Sequence, residues 1–65
     1  MDEQENHIFA QIVESMHQAG YDPYNQLTAY LLTRDDRYVT RYGNARRQIK
    51  QIDWGTLAEF VQQMQ

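Results

Sequence analysis

The sequence has no cysteine, a single proline and three glycines in 65 residues. The lack of cysteine excludes disulfides and thiolate metal sites. The two histidines, His7 and His17, fall short of the three or four ligands that a zinc ion normally takes. We therefore predict no metal and no cofactor. A chain this short buries only about 60% of its unfolded surface, so we expect dense helix packing or another subunit to stabilise it.

Long apolar runs are also missing. No segment approaches the roughly 20 consecutive apolar residues that span a bilayer, which argues against a membrane protein. Residues 1–6 are mainly acidic and polar and no apolar core follows them, so they do not resemble a secretion signal. We expect one cytoplasmic helical domain over residues 1–65, with a frayed end at residues 1–5.

Basic side chains are absent from residues 1–33, which carry a charge of −5. Residues 34–50 hold all six basic side chains and carry +4, whereas residues 51–65 carry −2. Such a basic block predicts a docking surface for an acidic or phosphorylated partner, although a solvated helix face that balances the acidic helices explains it equally well. The candidate docking residues are Arg37, Arg41, Arg46, Arg47 and Lys50.

Apolar periodicity predicts a first helix at about residues 4–18. Its stripe consists of Ile8, Phe9, Ile12, Val13 and Met16. Asp2 together with Glu5 has the spacing of a capping box, and Asn6 is a second candidate cap. Gly20 can adopt the left-handed conformation that closes a helix.

Asp22 and Pro23 predict that a second helix starts at Pro23. Aspartate accepts hydrogen bonds from first-turn N–H groups, and proline has no N–H to leave unpaired there. This helix should end near residue 32 or 33. The following stretch, Arg34–Gly43, has no apolar period, so it could form a short turn capped by Asp35 or an ordered loop.

Two further helices follow. Asn44 is a candidate cap for a basic helix at 44–51, and Asp53 for a last helix with the most regular amphipathic pattern in the chain. The apolar positions of the last helix are Trp54, Leu57, Ala58, Val61 and Met64. With no strand period anywhere, the sequence predicts an all-α bundle of about four short helices, similar to a helix-turn-helix domain.

Four short stripes make a thin core, because burying a large side chain contributes roughly 1.5 to 3 kcal/mol and ordering each residue costs a comparable amount. Five tyrosines and one tryptophan exceed what this core can bury, and both residue types are enriched at interfaces. We therefore expect a homodimer. The candidate dimer or core residues are Tyr24, Leu27, Leu31, Tyr38, Tyr42, Ile49, Trp54, Leu57 and Val61.

No catalytic constellation is visible. Ser15 and His17 are two residues apart on a helix and point to different faces, and there is no glycine-rich phosphate loop. We therefore predict that the protein is not an enzyme. A DNA-binding helix-turn-helix module is the alternative, with the basic segment Arg34–Lys50 on the duplex. Against it stands a pI near 5.1, since DNA-binding domains typically exceed about 9.

A long and unusual motif runs from Gly20 to Lys50. It reads G-Y-D-P-Y-N-Q-L at 20–27, then Y and L at 30 and 32, Y-V at 38–39, R-Y-G-N-A-R at 41–46 and Q-I-K at 48–50. In this motif, and over about residues 20–61, the chain resembles the IreB family of small regulatory phosphoproteins.

The resemblance implies a bacterial negative regulator that acts with a transmembrane Ser/Thr kinase and its partner phosphatase. The pathway is tied to cell-wall stress and cephalosporin resistance. It also implies a helical homodimer that is phosphorylated on threonine in a flexible arm ahead of the first helix. The motif residues have structural interpretations too: Asn25 and Gln26 could bond the turn at Gly20–Tyr24, and Tyr38 and Tyr42 could pack.

The chain departs from the family pattern at three places. No threonine precedes Thr28, and the acidic residues Asp2, Glu3 and Glu5 occupy that end of the chain. We interpret the chain as a paralogue that lacks kinase control through the arm. The permanent charge of its acidic N-terminal residues has the same sign as the charge of a phosphate group. Arg34 stands where the family usually has glycine and Asp36 where it usually has proline, so we expect a different bend after the second helix.

Overall fold

Seven short helical segments make up residues 3–64, the part of the chain that the computed structural model describes. The α-helices are α1 (Glu3–Gln18), α2 (Pro23–Thr33), α3 (Ala45–Gln48) and α4 (Trp54–Gln63). The other segments are 3-10 turns, which we name η1 (Asp36–Tyr38), η2 (Tyr42–Asn44) and η3 (Ile49–Gln51). Residues 3–64 contain no strand, which confirms the all-α prediction for this part of the chain.

Three predicted aspartate caps are confirmed. Asp22 accepts a hydrogen bond from the Tyr24 backbone N–H at 3.1 Å, and α2 begins at Pro23. Asp53 caps α4 in the same way, with Oδ2 3.2 Å from the backbone nitrogen of Thr56. Asp35 caps η1, so the stretch after α2 contains a short turn.

Of the two predicted asparagine caps, Asn6 is wrong, whereas Asn44 occupies the cap position of α3 without a side-chain capping bond. Asn6 lies inside α1, which begins at Glu3; Asp2, the other candidate, lies outside the described residues. Asn44 precedes α3, but its side chain makes no capping bond. Gly43 and Asn44 both have left-handed backbones, with φ of +60° and +65°. Asparagine tolerates this conformation, so Asn44 serves the tight turn into α3 instead of capping it.

The core draws apolar side chains from every α-helix. The residues that are almost completely buried are Ile12, Met16, Leu27, Val39, Ile49 and Leu57. Phe60 joins them and stacks on Phe9, with ring centroids 4.8 Å apart. The predicted stripe on α4 missed Phe60 and included Ala58, which is exposed. The buried face of α4 is therefore turned towards Phe60, where the Phe9 ring of α1 meets it.

Three side-chain hydrogen bonds help to fix the segments between the helices. The Gln26 side chain accepts from the Thr40 N–H at 3.1 Å, so its partner is Thr40 and not the predicted turn at Gly20–Tyr24. Arg46 Nε donates to the Val39 carbonyl at 2.9 Å. Glu5 on α1 accepts from the Asp53 N–H at 2.8 Å. These bonds hold residues 36–53 against α1 and α2 although this region has little regular helix.

Candidate docking surface

The basic block is partly neutralised by its own aspartates. Arg37 forms a two-pronged ion pair with Asp35, whose shortest N–O distance is 2.7 Å, and Lys50 lies 2.7 Å from Asp36. The second pair joins η3 to η1 across 14 positions of sequence. Two of the five predicted docking residues thus form ion pairs with carboxylates of the same chain.

These ion pairs keep both aspartates ionised. The hydrogen bonds from the Arg37 side chain and backbone lower the pKa of Asp35 to about 2. The hydrogen bond from Lys50 likewise lowers the pKa of Asp36, and the positive charge of Arg46 acts in the same direction on both carboxyl groups. At neutral pH both carboxyl groups are therefore ionised, and they balance the charge of Arg37 and Lys50 locally.

The remaining positive charge is concentrated at Arg41, Arg46 and Arg47. Arg41 and Arg47 are exposed, and neither side chain has an ion pair within residues 3–64. Arg46 is half-buried and is anchored through Nε to the Val39 carbonyl. Arg34, the other basic residue, lies elsewhere, with its guanidinium carbon 4.9 Å from the centroid of the Trp54 ring.

Two neighbouring cavities share Arg41 and Arg46. The first, which we call the aromatic groove, has a volume of about 460 Å³. Its lining includes Tyr21, Asn25, Ala29, Arg37, Tyr38, Arg41 and Arg46. The second, the cationic cradle, has a volume of about 220 Å³. It is lined by Arg41, Asn44, Arg46, Arg47 and Lys50. All five predicted docking residues therefore line one or both cavities.

The candidate dimer or core residues separate into two groups. Seven lie in or against the core: Leu27, Ile49, Leu57 and Val61 are buried, and Tyr24, Leu31 and Trp54 are partly buried. Tyr38 and Tyr42 instead leave 49% and 51% of their surface exposed. The structure thus brings the first group together and leaves the two tyrosines of the basic segment at the surface.

Two further exposed side chains were missed from the sequence. Tyr21 is 51% exposed and Leu32 is 80% exposed. Tyr21 follows the left-handed Gly20 outside any helix, so no periodicity marks it. Leu32 follows Leu31 near the end of α2, and its position beside the partly buried stripe of Tyr24, Leu27 and Leu31 was the signal that could have identified it.

A third cavity of about 450 Å³ lies between α1 and the η2–α3 segment. Gln48 donates to Gln11 at 2.9 Å, and Gln11 in turn is 3.2 Å from His7 Nε2. The polar lining of this cavity consists of His7, Gln11, Glu14, Ser15 and Gln48, and residues 3–64 contain no cluster of His, Asp or Glu that could hold a metal ion. Within the same residues no helix is long and apolar enough to cross a bilayer.

Comparison with known proteins places the motif in a family. The family described as IreB regulatory phosphoprotein matches residues 1–64, which includes α1 as well as the motif from Gly20 onwards. A UPF0297 protein of Ruminiclostridium cellulolyticum is 35% identical over 65 positions, covering 94% of this chain and 74% of that protein. No solved structure matches. Because the family match spans almost the whole chain, this chain belongs to the IreB family of regulatory phosphoproteins.

Proposed function

We propose that this protein is a non-enzymatic negative regulator in a bacterial Ser/Thr kinase–phosphatase pathway that responds to cell-wall stress, and that it works as a homodimer in the cytoplasm. The family description as a regulatory phosphoprotein supports this. One observation carries it: on a chain of net charge −3, three arginines around two adjoining cavities have no carboxylate partner among residues 3–64. Such a local excess of charge favours an acidic or phosphorylated protein partner.

Complementation in the encoding bacterium tests this proposal. Deletion of the gene should raise survival in a cephalosporin, because a negative regulator is lost, and the wild-type gene should reverse the effect. Arg47→Glu should fail to reverse it, since Arg47 is exposed and its replacement leaves the core intact. Arg34→Glu is the matched control, because it makes the same charge change outside both cavities.

Full complementation by Arg47→Glu would rule out the basic surface as the point of docking. Arg46→Glu would be a less specific test of docking, because Arg46 Nε also donates a hydrogen bond to the Val39 carbonyl within the fold. Circular dichroism of each purified variant establishes that the fold is retained.

We further propose that acidic side chains at the start of α1 supply the negative charge that phosphorylation would otherwise bring. The first turn of α1 carries Glu3 and Glu5. Glu5 accepts a hydrogen bond from the start of α4, so permanent negative charge is already built into this end of the fold. Mass spectrometry after incubation with the cognate kinase should detect no stoichiometric threonine phosphate. Its detection would contradict the proposal.

DNA binding finds less support. The candidate recognition helix is divided into α3, of four residues, and the 3-10 turn η3, whereas known recognition helices enter the major groove as a continuous element. A mobility-shift assay across salt concentrations distinguishes the two functions. Steep salt-dependent binding to duplex DNA would favour the alternative, and no binding is expected from a protein-docking surface.

A further inference from the structure

We propose that the cationic cradle and the aromatic groove form one bipartite site for a phosphorylated segment of a partner protein. The cradle takes the phosphoryl group of a phosphothreonine or phosphoserine, and the groove takes the residues that flank it. This inference rests on the proposed function and specifies the chemistry of the partner.

The cradle matches a phosphoryl group better than a carboxylate. Its wall carries three guanidinium groups, one ammonium group already paired with Asp36, and the Asn44 side chain. A phosphoryl group brings about −1.5 to −2 charges and three acceptor oxygens, and arginine binds such oxygens through two parallel N–H bonds. A carboxylate carries one charge and two oxygens, which would leave Arg41, Arg46 and Arg47 with excess positive charge.

Arg46 is positioned before any ligand arrives. Its Nε donates to the Val39 carbonyl at 2.9 Å, and the residue is half-buried. An anchored side chain loses less conformational entropy on binding than a free one. Since Arg46 lines both cavities, it can contact both the phosphoryl group and the residues that flank it.

The aromatic groove supplies contacts for the flanking residues. Tyr21 and Tyr38 line it and leave about half of their surface exposed, at 51% and 49%, and Ala29 adds apolar lining. Tyrosine offers apolar area and a hydroxyl at a low entropic cost, and it is enriched where proteins meet. Because the groove continues into the cradle through Arg41 and Arg46, a single extended segment can occupy both.

The charge distribution favours a short phosphopeptide over a nucleic acid. Five of the six basic residues line the cradle or the groove, while the chain as a whole carries −3. A nucleic acid repeats its negative charge at every nucleotide and would extend from the cradle over acidic surface. A phosphorylated segment presents its charge at one residue only.

Titrations of the ¹⁵N-labelled full chain by NMR test the site with defined probes. The probes are a degenerate peptide library with a central phosphothreonine, the same library with threonine or glutamate there, inorganic phosphate, and a DNA duplex. The phosphothreonine library should shift the amide signals of Tyr21, Tyr38, Arg41 and Arg47, with affinity at least about tenfold above either other library, as expected for charge-assisted bonds. Inorganic phosphate should shift only the cradle signals.

Three variants assign the two halves of the site. Arg41→Gln should weaken both inorganic phosphate and the phosphothreonine library by about tenfold. Tyr38→Ala should weaken the library alone. Arg34→Gln removes the same charge outside both cavities and should change neither.

The proposal fails if the glutamate library binds as well as the phosphothreonine library, if the duplex displaces it, or if no peptide binds. In each case loss of complementation by Arg47→Glu would still support protein docking. If the phosphothreonine library binds as expected and Arg47→Glu complements fully, the site stands and the proposed function falls.

Discussion

Arg34 ends α2 in a left-handed backbone conformation, with φ of +58°. Glycine adopts this conformation freely, whereas a residue with a side chain pays about 1 to 2 kcal/mol for it. Glycine at this position would suit the same turn without that cost. Here the guanidinium group lies over Trp54, 4.9 Å from the ring centroid, and such contacts contribute roughly 0.5 to 1 kcal/mol at exposed sites. The cation–π contact offsets part of the backbone strain.

Substitutions at Arg34 should separate these two effects. Arg34→Gly loses the contact with Trp54 but relieves the backbone, so we expect little change in the free energy of unfolding. Arg34→Ala loses the contact and keeps the strain, so it should be less stable than Arg34→Gly by about 1 kcal/mol. Urea unfolding measures both. Equal stability of the two variants would show that the left-handed conformation carries no cost at this position.

Asp35 should contribute to acid sensitivity. Arg37 lowers its pKa from 3.8 to about 2 in the folded protein. A group whose folded pKa is depressed stabilises the fold above its unfolded pKa and loses that contribution as the pH falls through the folded value. The melting temperature, followed by circular dichroism, should therefore fall between pH 3.8 and pH 2. Asp35→Asn should show a smaller fall over this interval; an identical fall would exclude Asp35 as a cause.

At the scale of elements, α1 and η2 approach each other closely at Gly43. A Cβ atom added there would lie 2.5 Å from Ser15 Oγ and 3.2 Å from Ser15 Cβ, and the backbone is left-handed. Gly43→Ala should therefore destabilise the fold by more than the backbone strain alone, which costs about 1 to 2 kcal/mol. Adding Ser15→Ala should recover part of the loss because it removes Oγ.

Gly20→Ala is the control for this pair. Gly20 also has a left-handed backbone, with φ of +85°, but no atom lies within 4 Å of the added Cβ. This variant should lose stability through backbone strain only, and Ser15→Ala should not improve it. Thermal unfolding of the wild type, the two alanine variants and their double variants with Ser15→Ala provides the comparison. Equal losses for the two alanine variants would mean that η2 can move away from α1.

The elements with local signals were predictable from the sequence. Asp22 with Pro23 fixes the start of α2, and Asp53 fixes the start of α4, because a cap acts within three residues of itself. Residues 36–51 could not be predicted in detail. Their structure depends on the bond from Thr40 to Gln26 and on that from Arg46 to Val39, which connect positions that no local period relates.

For the whole molecule we predict a homodimer. Residues 3–64 leave four large apolar or aromatic side chains at least about half exposed, and a core this small gains from further burial. Tyr21 and Tyr38 line the aromatic groove, so the dimer contact that we predict involves the other two, Leu32 and Tyr42. Sedimentation equilibrium at micromolar concentration should give twice the 7.8 kDa chain mass, and a strict monomer would contradict the prediction. Leu32→Asp should weaken the dimer without unfolding the chain, because Leu32 is 80% exposed.

The candidate site was predictable in composition but not in geometry. Clustering of basic residues identified the five docking candidates, yet the sequence did not show that Lys50 pairs with Asp36 across the fold. It also did not show that Tyr21, which precedes α2, lines the same groove as Tyr38 and Arg41. Both facts depend on how η1 and η3 pack, so they required the three-dimensional structure.

The hydrogen bond from the Asp53 N–H to Glu5 joins residues 48 positions apart, and the Phe9 ring packs on Phe60. During synthesis on the ribosome, α1 emerges long before α4 exists. A nascent chain that lacks α4 can pack its first helix on α2 and α3, but Glu5 and Phe9 have no partners and the core is incomplete. We expect folding to occur in one cooperative step only after α4 has left the exit tunnel, which makes the chain a target for proteases and chaperones until then.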